Sequence, residues 1–424
     1  VSGGASPLGL SMLRVAAWGV SLAVLCGRPE LFVAVLPIAL VLALAALRRF
    51  APAYTVMHEV SADRVMEGET LTVTVIITAR SAVPLVEVLS VLPADCEVVS
   101  GRPRAVFALR AGETGSVRYD VRGARGVHEI GTVIVRARDR WAVRASERRH
   151  VHRHVVRVYP QVIPLRSLPR PQHTQTSVGD YVSPALGEGI EPGDIRQFMP
   201  GDRIRQVNWR ASLRLGTLYV TQHHRERNAD VVLMLDTLAE VGPHRDSTLD
   251  LGVRAAASMA AAYLARKDRV GLINYGGTID WVKPATGRAQ YERLADTLLR
   301  AAVVFTYVSK DLAFVPPRVL PTHALVIAVS PLLDPRFTKA TLDLAARGFD
   351  LVMFVVSPVE VTRRTLGSAA ADDLACRLWT LERSAALDEF RRHGIVVIEW
   401  RPPEPLELAL AGQGRRRPGV MAAG

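Results

Sequence analysis

The sequence predicts a multi-domain chain: an N-terminal transmembrane helical hairpin, a small antiparallel β-sandwich and a C-terminal α/β domain. Three observations predict it. Two long apolar runs open the chain, and short β-branched runs follow from Val56 to about Tyr159. Beyond residue 229, apolar strands alternate with amphipathic stretches of helix length. At 424 residues the chain is too long for one ordinary domain. Its 49% hydrophobic content is high for a soluble protein, and its formal net charge is +12. That charge suits nucleic acid, an anionic membrane face or an acidic protein partner. Cys26, Cys96 and Cys376 form no CxxC pair, which fits a reducing compartment.

The hairpin is expected over residues 1–50, with spans at 8–26 and 31–47 separated by Gly27-Arg28-Pro29-Glu30. Each run approaches the roughly 20 residues that cross a bilayer core as helix. Arg14 lies early in the first run, and Arg48 and Arg49 follow the second. The positive-inside bias puts both ends in the cytosol, hence a multi-pass protein of a bacterial plasma membrane with its folded domains on the cytoplasmic side.

Residues 53–160 read as an immunoglobulin-like sandwich without its Cys-Trp-Cys core. The strands expected are Leu71–Ile77, Val86–Leu92, Arg104–Leu109, Val117–Val121 and Gly131–Val135. His150, His152 and His154 alternate, so on a strand they share one face. Either they hold zinc or they belong to a basic solvated strand. The absence of a nearby carboxylate or cysteine favours the strand.

Residues 161–228 are expected to be a linker followed by a charged segment, and 229–400 an α/β domain, with 401–424 a disordered basic tail. The strands Val231–Leu235, Val270–Tyr275, Ala324–Ser330, Leu351–Ser357 and Ile395–Trp400 are nearly continuous in apolar character. Helices are expected near Leu249–Arg266, Tyr291–Val303, Thr338–Arg347 and Ala375–His393. Such a pattern implies a mostly parallel sheet covered on both faces, with ligands outside the strand C-termini.

The segment ahead of the first strand carries the specific signal. It contains Gly193, Asp194, Arg196, Phe198, Gly201, Asp202, Arg203, Arg205, Trp209, Arg210 and Arg214, then Leu218-Tyr219-Val220. This string resembles the signature of the family called domain of unknown function 58. The resemblance implies a von Willebrand factor A-like domain after the signature. It also implies a membrane-anchored scaffold that works with a MoxR-type AAA+ ATPase in assembly or chaperone roles. The signature is expected to be either a structural clasp, anchored by Val207, Trp209, Leu218 and Val220, or a partner-docking surface led by its arginines.

A-type domains often hold Mg²⁺ through Asp-x-Ser-x-Ser, a second-loop Thr and a third-loop Asp. Here Asp236 is followed by Leu238 and Glu240 where the serines belong, Thr286 is the second-loop candidate, and Ser330 precedes Pro331 and, further on, Asp334. Leu238 has no ligand atom, so the expectation is no cofactor, with Asp236 capping its turn or helix. The alternative is divalent-metal-dependent adhesion through a partly retained site. No GxxxxGK[ST], GxSxG, HExxH or helix-opening GxGxxG string occurs, so no enzyme is expected. Arginines are dispersed and aromatics are 6%, so no nucleic acid is expected as partner. The tail arginines Arg415, Arg416 and Arg417 point to a lipid bilayer instead.

Overall fold

The computed structural model describes residues 4–47, 50–170, 175–199, 204, 207–243, 245–306, 312, 315–367 and 369–412, with backbone alone at 4, 175–195 and 221–228. Two compact units divide at residue 160: Val1–Tyr159 and Pro160–Gly424.

The first unit begins with β1 (Gly4–Ala5), α1 (Pro7–Cys26) and α2 (Glu30–Leu47). The Ser6 hydroxyl caps α1 by accepting from the Gly9 N–H at 2.9 Å, and Pro7 occupies the first helical turn, where its missing N–H costs nothing. Gly27, at φ 61°, takes the left-handed conformation that ends α1 and turns the chain into α2. At 20 and 18 residues, both helices are long and apolar enough to cross a membrane. They meet through small residues: Ala16 and Ala23 are buried, and Gly19 lies against the Val35 side chain, where a Cβ would collide.

The same unit continues with β2 (Tyr54–Val60), β3 (Arg64–Met66), β4 (Leu71–Ala79), β5 (Val83–Val91), β6 (Cys96–Gly101), β7 (Arg104–Leu109), β8 (Thr114–Gly123), β9 (Gly126–Arg138) and β10 (Arg144–Tyr159). They form two sheets, ordered β1-β10-β9-β5-β7 and β2-β4-β8-β6, with β3 paired in parallel to β10 and the other pairings antiparallel. Strand alternation makes the core: Val73, Val75 and Ile77 of β4 join Val86, Val88, Val133 and Val135 in one apolar cluster. Strands β2, β6 and β10 escape the sequence reading because their polar residues mask the alternation.

The histidines of β10 lie on one face, half-buried, and meet β2. The His58 ring stacks on His154 at 5.1 Å and on His152 at 6.2 Å between centroids, and His154 Nε2 donates to the His58 carbonyl at 3.0 Å. A bulge between Val151 and His154 accommodates Gly131 at φ 126°, whose absent Cβ makes room for the His152 carbonyl. Among the described residues no group of three His, Cys, Asp or Glu side chains is placed to hold a metal ion.

His58 is 6% exposed, and burial, then the neighbouring charges of His154 and His152, push its pKa down to about 4 from 6.5. The unfolded chain therefore binds a proton that the folded chain refuses between those values. Stability is complete above pH 6.5 and falls as pH drops toward 4. His58→Phe should remove a loss on the order of 2 kcal/mol over that window, read from urea midpoints at pH 7 and pH 5.

In the second unit, β11 (Gln175–Gln197) and β12 (Tyr219–Asn228) form an antiparallel ribbon around α3 (Trp209–Leu215), so the stretch expected as linker contains regular structure. Residues 161–170 are not a free linker either: Val162, Ile163, Leu165 and Leu168 pack on the main core, and Tyr263 Oη donates to the Pro169 carbonyl at 2.6 Å. The remaining elements alternate: β13 (Asp230–Thr237), α4 (Thr248–Ala265), β14 (Arg269–Gly276), β15 (Ile279–Ala285), α5 (Arg288–Leu299), β16 (Leu325–Ser330), α6 (Pro335–Ala346), β17 (Asp350–Val356), α7 (Pro358–Arg363), α8 (Ala370–Arg392), β18 (Val396–Trp400) and α9 (Leu406–Ala411).

Their sheet runs β15-β14-β13-β16-β17-β18, parallel except for β15. Every residue of β13 is buried, because the sheet is covered twice. Val231, Leu233 and Leu235 face α4, α5 and α9, while Val232 and Met234 face Phe337 and Leu344 of α6 and Leu387 and Phe390 of α8. The expected disordered tail is corrected in part. Leu406 and Leu410, one helical turn apart on α9, bury into the core, and Trp400 Nε1 donates to the Glu404 carbonyl at 2.6 Å. Arg415, Arg416 and Arg417 lie outside the described residues.

Candidate functional site

Parallel strands β13 and β16 are neighbours whose connections run to opposite halves of the sheet, so their C-terminal ends flank the place where such sheets take ligands. Asp236 closes β13 there and is 2% exposed. Ser330 Oγ, at the end of β16, donates to its Oδ2 at 2.5 Å, and the Leu238 N–H donates to its Oδ1 at 2.9 Å. Asp236 therefore caps its own turn and ties the two central strands together. The following helix, α4, is capped by Ser247, whose hydroxyl accepts from the Asp250 N–H at 3.1 Å and donates to Glu240 at 2.6 Å.

The other positions of an A-type metal site are filled differently. Leu238 packs into the core, and Glu240 is turned toward Ser247. Thr286 is corrected. It follows β15, which runs antiparallel, and Ala285 pairs with Val270 near the start of β14. Asp236 pairs with Tyr275 near the end of that strand. Five residues of strand, about 16 Å at ~3.3 Å per residue, separate the two positions along β14. Nearer the C-terminal edge lies Thr306, whose carbonyl accepts from Arg336 Nη1 at 2.6 Å. Asp334 accepts from the Arg336 backbone N–H at 2.9 Å, capping α6, and pairs with the Arg336 guanidinium at 2.6 Å.

The electrostatics follow from burial. Desolvation raises the Asp236 carboxyl from 3.8 to about 7, opposed by the Ser330 and Leu238 hydrogen bonds and by Arg336, and reinforced by Asp334. Asp334 is held below its ordinary value, chiefly by hydrogen bonding to Arg336. For Asp236 the folded chain keeps a proton that the unfolded chain releases. Its contribution to stability is thus greatest below pH 4 and is lost as pH rises toward 7. In Asp236→Asn, the stability of the α/β unit should no longer fall across that window, measured by urea unfolding at pH 4.5 and 7.

In the signature two of the four expected anchors are buried. Val207 and Val220 form a bridge and are both buried. Asn208 Oδ1 accepts from the Ala211 N–H at 3.0 Å and starts α3, while Gly216 at φ 73° ends it. Ser212, buried, donates to the Asn208 carbonyl at 2.8 Å and accepts from the Tyr219 N–H at 2.9 Å. These polar contacts are what fasten α3 to β12.

Trp209 and Leu218 are not the anchor expected of them. Trp209 is 59% exposed and Leu213 85%, beside exposed Met199, Leu215, Leu218, Arg210 and Arg214. Arg196 pairs in register with Val220 and its guanidinium donates to the Gln197 carbonyl at 3.0 Å; the Phe198 N–H donates to the Leu218 carbonyl. Gly193 and Asp194 lie on β11 by backbone, whereas Gly201, Asp202, Arg203 and Arg205 fall outside the described residues. The sequence reading missed Ser212, Thr306 and Arg336. The Asn-x-x-x-Ser spacing ahead of Gly216 was the available signal for the first. Ser212→Ala should cost about 1–2 kcal/mol by stranding the Tyr219 N–H, and Leu213→Ala less than about 0.5 kcal/mol, compared by thermal unfolding.

Comparison with known proteins finds a partial family match. The model of "Protein of unknown function DUF58" matches residues 194–388, from the signature into α8. Uncharacterized protein Rv1480 of Mycobacterium tuberculosis is 27% identical over 205 residues, and the same figures hold for Uncharacterized protein Mb1516 of Mycobacterium bovis. The matched region spans 46% of this chain and 64% of the length of these relatives. Among solved structures, the cupredoxin domain of amoB from Nitrosocaldus yellowstonii aligns at TM-score 0.20 and 12% identity, over 28% of this chain and 96% of that one. A likeness that slight carries no argument.

Proposed function

We propose that this chain is a non-enzymatic scaffold of a bacterial plasma membrane, anchored by α1 and α2, which presents a von Willebrand factor A-like domain to a MoxR-type AAA+ ATPase. The sandwich and the α/β unit both lie on the cytoplasmic side in this reading. The fold assignment is supported by the order of the sheet: counted from β13, the strands run 3-2-1-4-5-6, with strand 3 antiparallel at the edge. Membrane anchoring is supported by the length and hydropathy of the two helices, and the orientation by Arg48 and Arg49 in the sequence.

The observation that carries the docking role is the exposed Trp209–Leu213 face of α3 with Arg210 and Arg214 beside it. An exposed tryptophan next to arginines is the composition of interface hot spots, with Leu213 adding apolar area beside it. The stretch is held in shape by polar contacts of Asn208 and Ser212 and by buried Val207 and Val220, which leaves Trp209 and Leu213 at the surface. A divalent-metal site at Asp236 is the weaker reading. Leu238, the Ser330 bond and the displaced Thr286 leave that carboxyl satisfied within the protein.

The test is affinity purification of the full chain from native membranes. Wild type should bring down an AAA+ ATPase, and Trp209→Ala/Leu213→Ala/Arg214→Ala should lose at least tenfold of it at unchanged thermal stability. Equal recovery from both proteins contradicts the α3 surface, and no ATPase from either contradicts the partner.

A further inference from the structure

Helix α8 carries two apolar faces. Cys376, Leu387 and Phe390 turn into the core. On the opposite side Leu374, Leu378 and Leu381 lie at the surface, Leu381 at 66% exposure, with exposed Ala371 and Ala385 beyond them. The spacing from Ala371 through Leu374, Leu378 and Leu381 to Ala385 is three, four, three, four. That is the seam of a coiled coil, with Ala371, Leu378 and Ala385 at a and Leu374 and Leu381 at d. A helix on the surface of a globular domain ordinarily needs one apolar stripe, the one facing its own core.

The flanking charges select the occupant. In this register Arg377 is at g and Glu382 at e of the same seam. In a parallel pair of identical helices, g of one faces e of the other five residues on, which sets Arg377 against the Glu382 of a second copy, twice by symmetry. An antiparallel pair would set like flanks together. Arg377 is 73% exposed and pairs at 2.8 Å with Asp373 of its own helix, a weak exposed contact that the new pairing can replace. Asp388 at the next d position ends the stripe. The seam is thus about two heptads, short for dilute solution, and chains held in one bilayer meet at a higher effective concentration.

We propose that α8 is the contact between two copies of this chain, packed in parallel through Leu374, Leu378 and Leu381 and aligned by Arg377 and Glu382. The proposal is independent of the α3 docking surface, and the variants below leave α3 untouched.

The experiment uses the full chain in vesicles of phosphatidylethanolamine and phosphatidylglycerol, with Cys26→Ser and Cys96→Ser as background and Leu374→Cys as reporter. Mild oxidation should give a covalent dimer. Adding Leu381→Glu should reduce it at least fivefold, Arg377→Glu should reduce it less, and Arg377→Glu with Glu382→Arg should restore it. No dimer from Leu374→Cys in a chain of unchanged thermal unfolding overturns the proposal. So does cross-linking of Leu374→Cys to Ala385→Cys chains in place of cross-linking between two Leu374→Cys chains, which would mean antiparallel packing. A Leu381→Glu chain that loses a different protein from membranes, with no dimer in the parent, assigns the stripe to that protein and also overturns it.

Discussion

A carboxyl group buried between the two central strands of a parallel sheet has to be satisfied, and the C-terminal edge of the α/β unit is arranged to do this from within. Asp236 takes a hydroxyl from Ser330 of the neighbouring strand and an N–H from its own turn, and burial holds much of its proton near neutral pH. Leu238 fills space with carbon, and Arg336 is bound by Asp334 and the Thr306 carbonyl. The edge where doubly wound sheets usually meet ligands is here a set of internal bonds joining β13 to β16.

With that edge closed, the exposed apolar surface of the second unit points to contacts with other macromolecules. It gathers on α3, where polar contacts from Asn208 and Ser212 support a face of Trp209 and Leu213. It gathers again on α8, where three leucines follow a heptad spacing. The arginines beside each give direction to an encounter more than affinity, since exposed ion pairs contribute only about 0–1 kcal/mol. In the first unit, the histidine seam between β2 and β10 buries His58, and burial pushes its pKa below the ordinary value.

Sequence patterns revealed the parts whose period or composition is unambiguous. The two apolar helices, β4 and β7, and the central strands of the parallel sheet stand within a residue or two of their expected places. Strands β2 and β10 were hidden because His58, Arg148 and the three histidines of β10 turn inward where apolar residues are expected. Thr286 was misplaced for a topological reason: spacing along a chain does not disclose that β15 runs back, so a turn after it lands on the wrong edge. Trp209 was read as an anchor because large aromatics are usually buried. The local hydrogen bonds of Ser212, invisible to hydropathy, make that burial unnecessary. The tail beyond Trp400 looked too charged to fold, yet Leu406 and Leu410 suffice to hold α9.

In the proposed reading, partners meet this protein on the α3 surface and not at the sheet edge. Amide hydrogen exchange of the full chain in vesicles, with and without the AAA+ ATPase proposed as its partner, is the sharpest test. Slowed exchange confined to residues 196–220 is the predicted result. Protection of the turns after Asp236 and Ser330, with 196–220 unchanged, would contradict it.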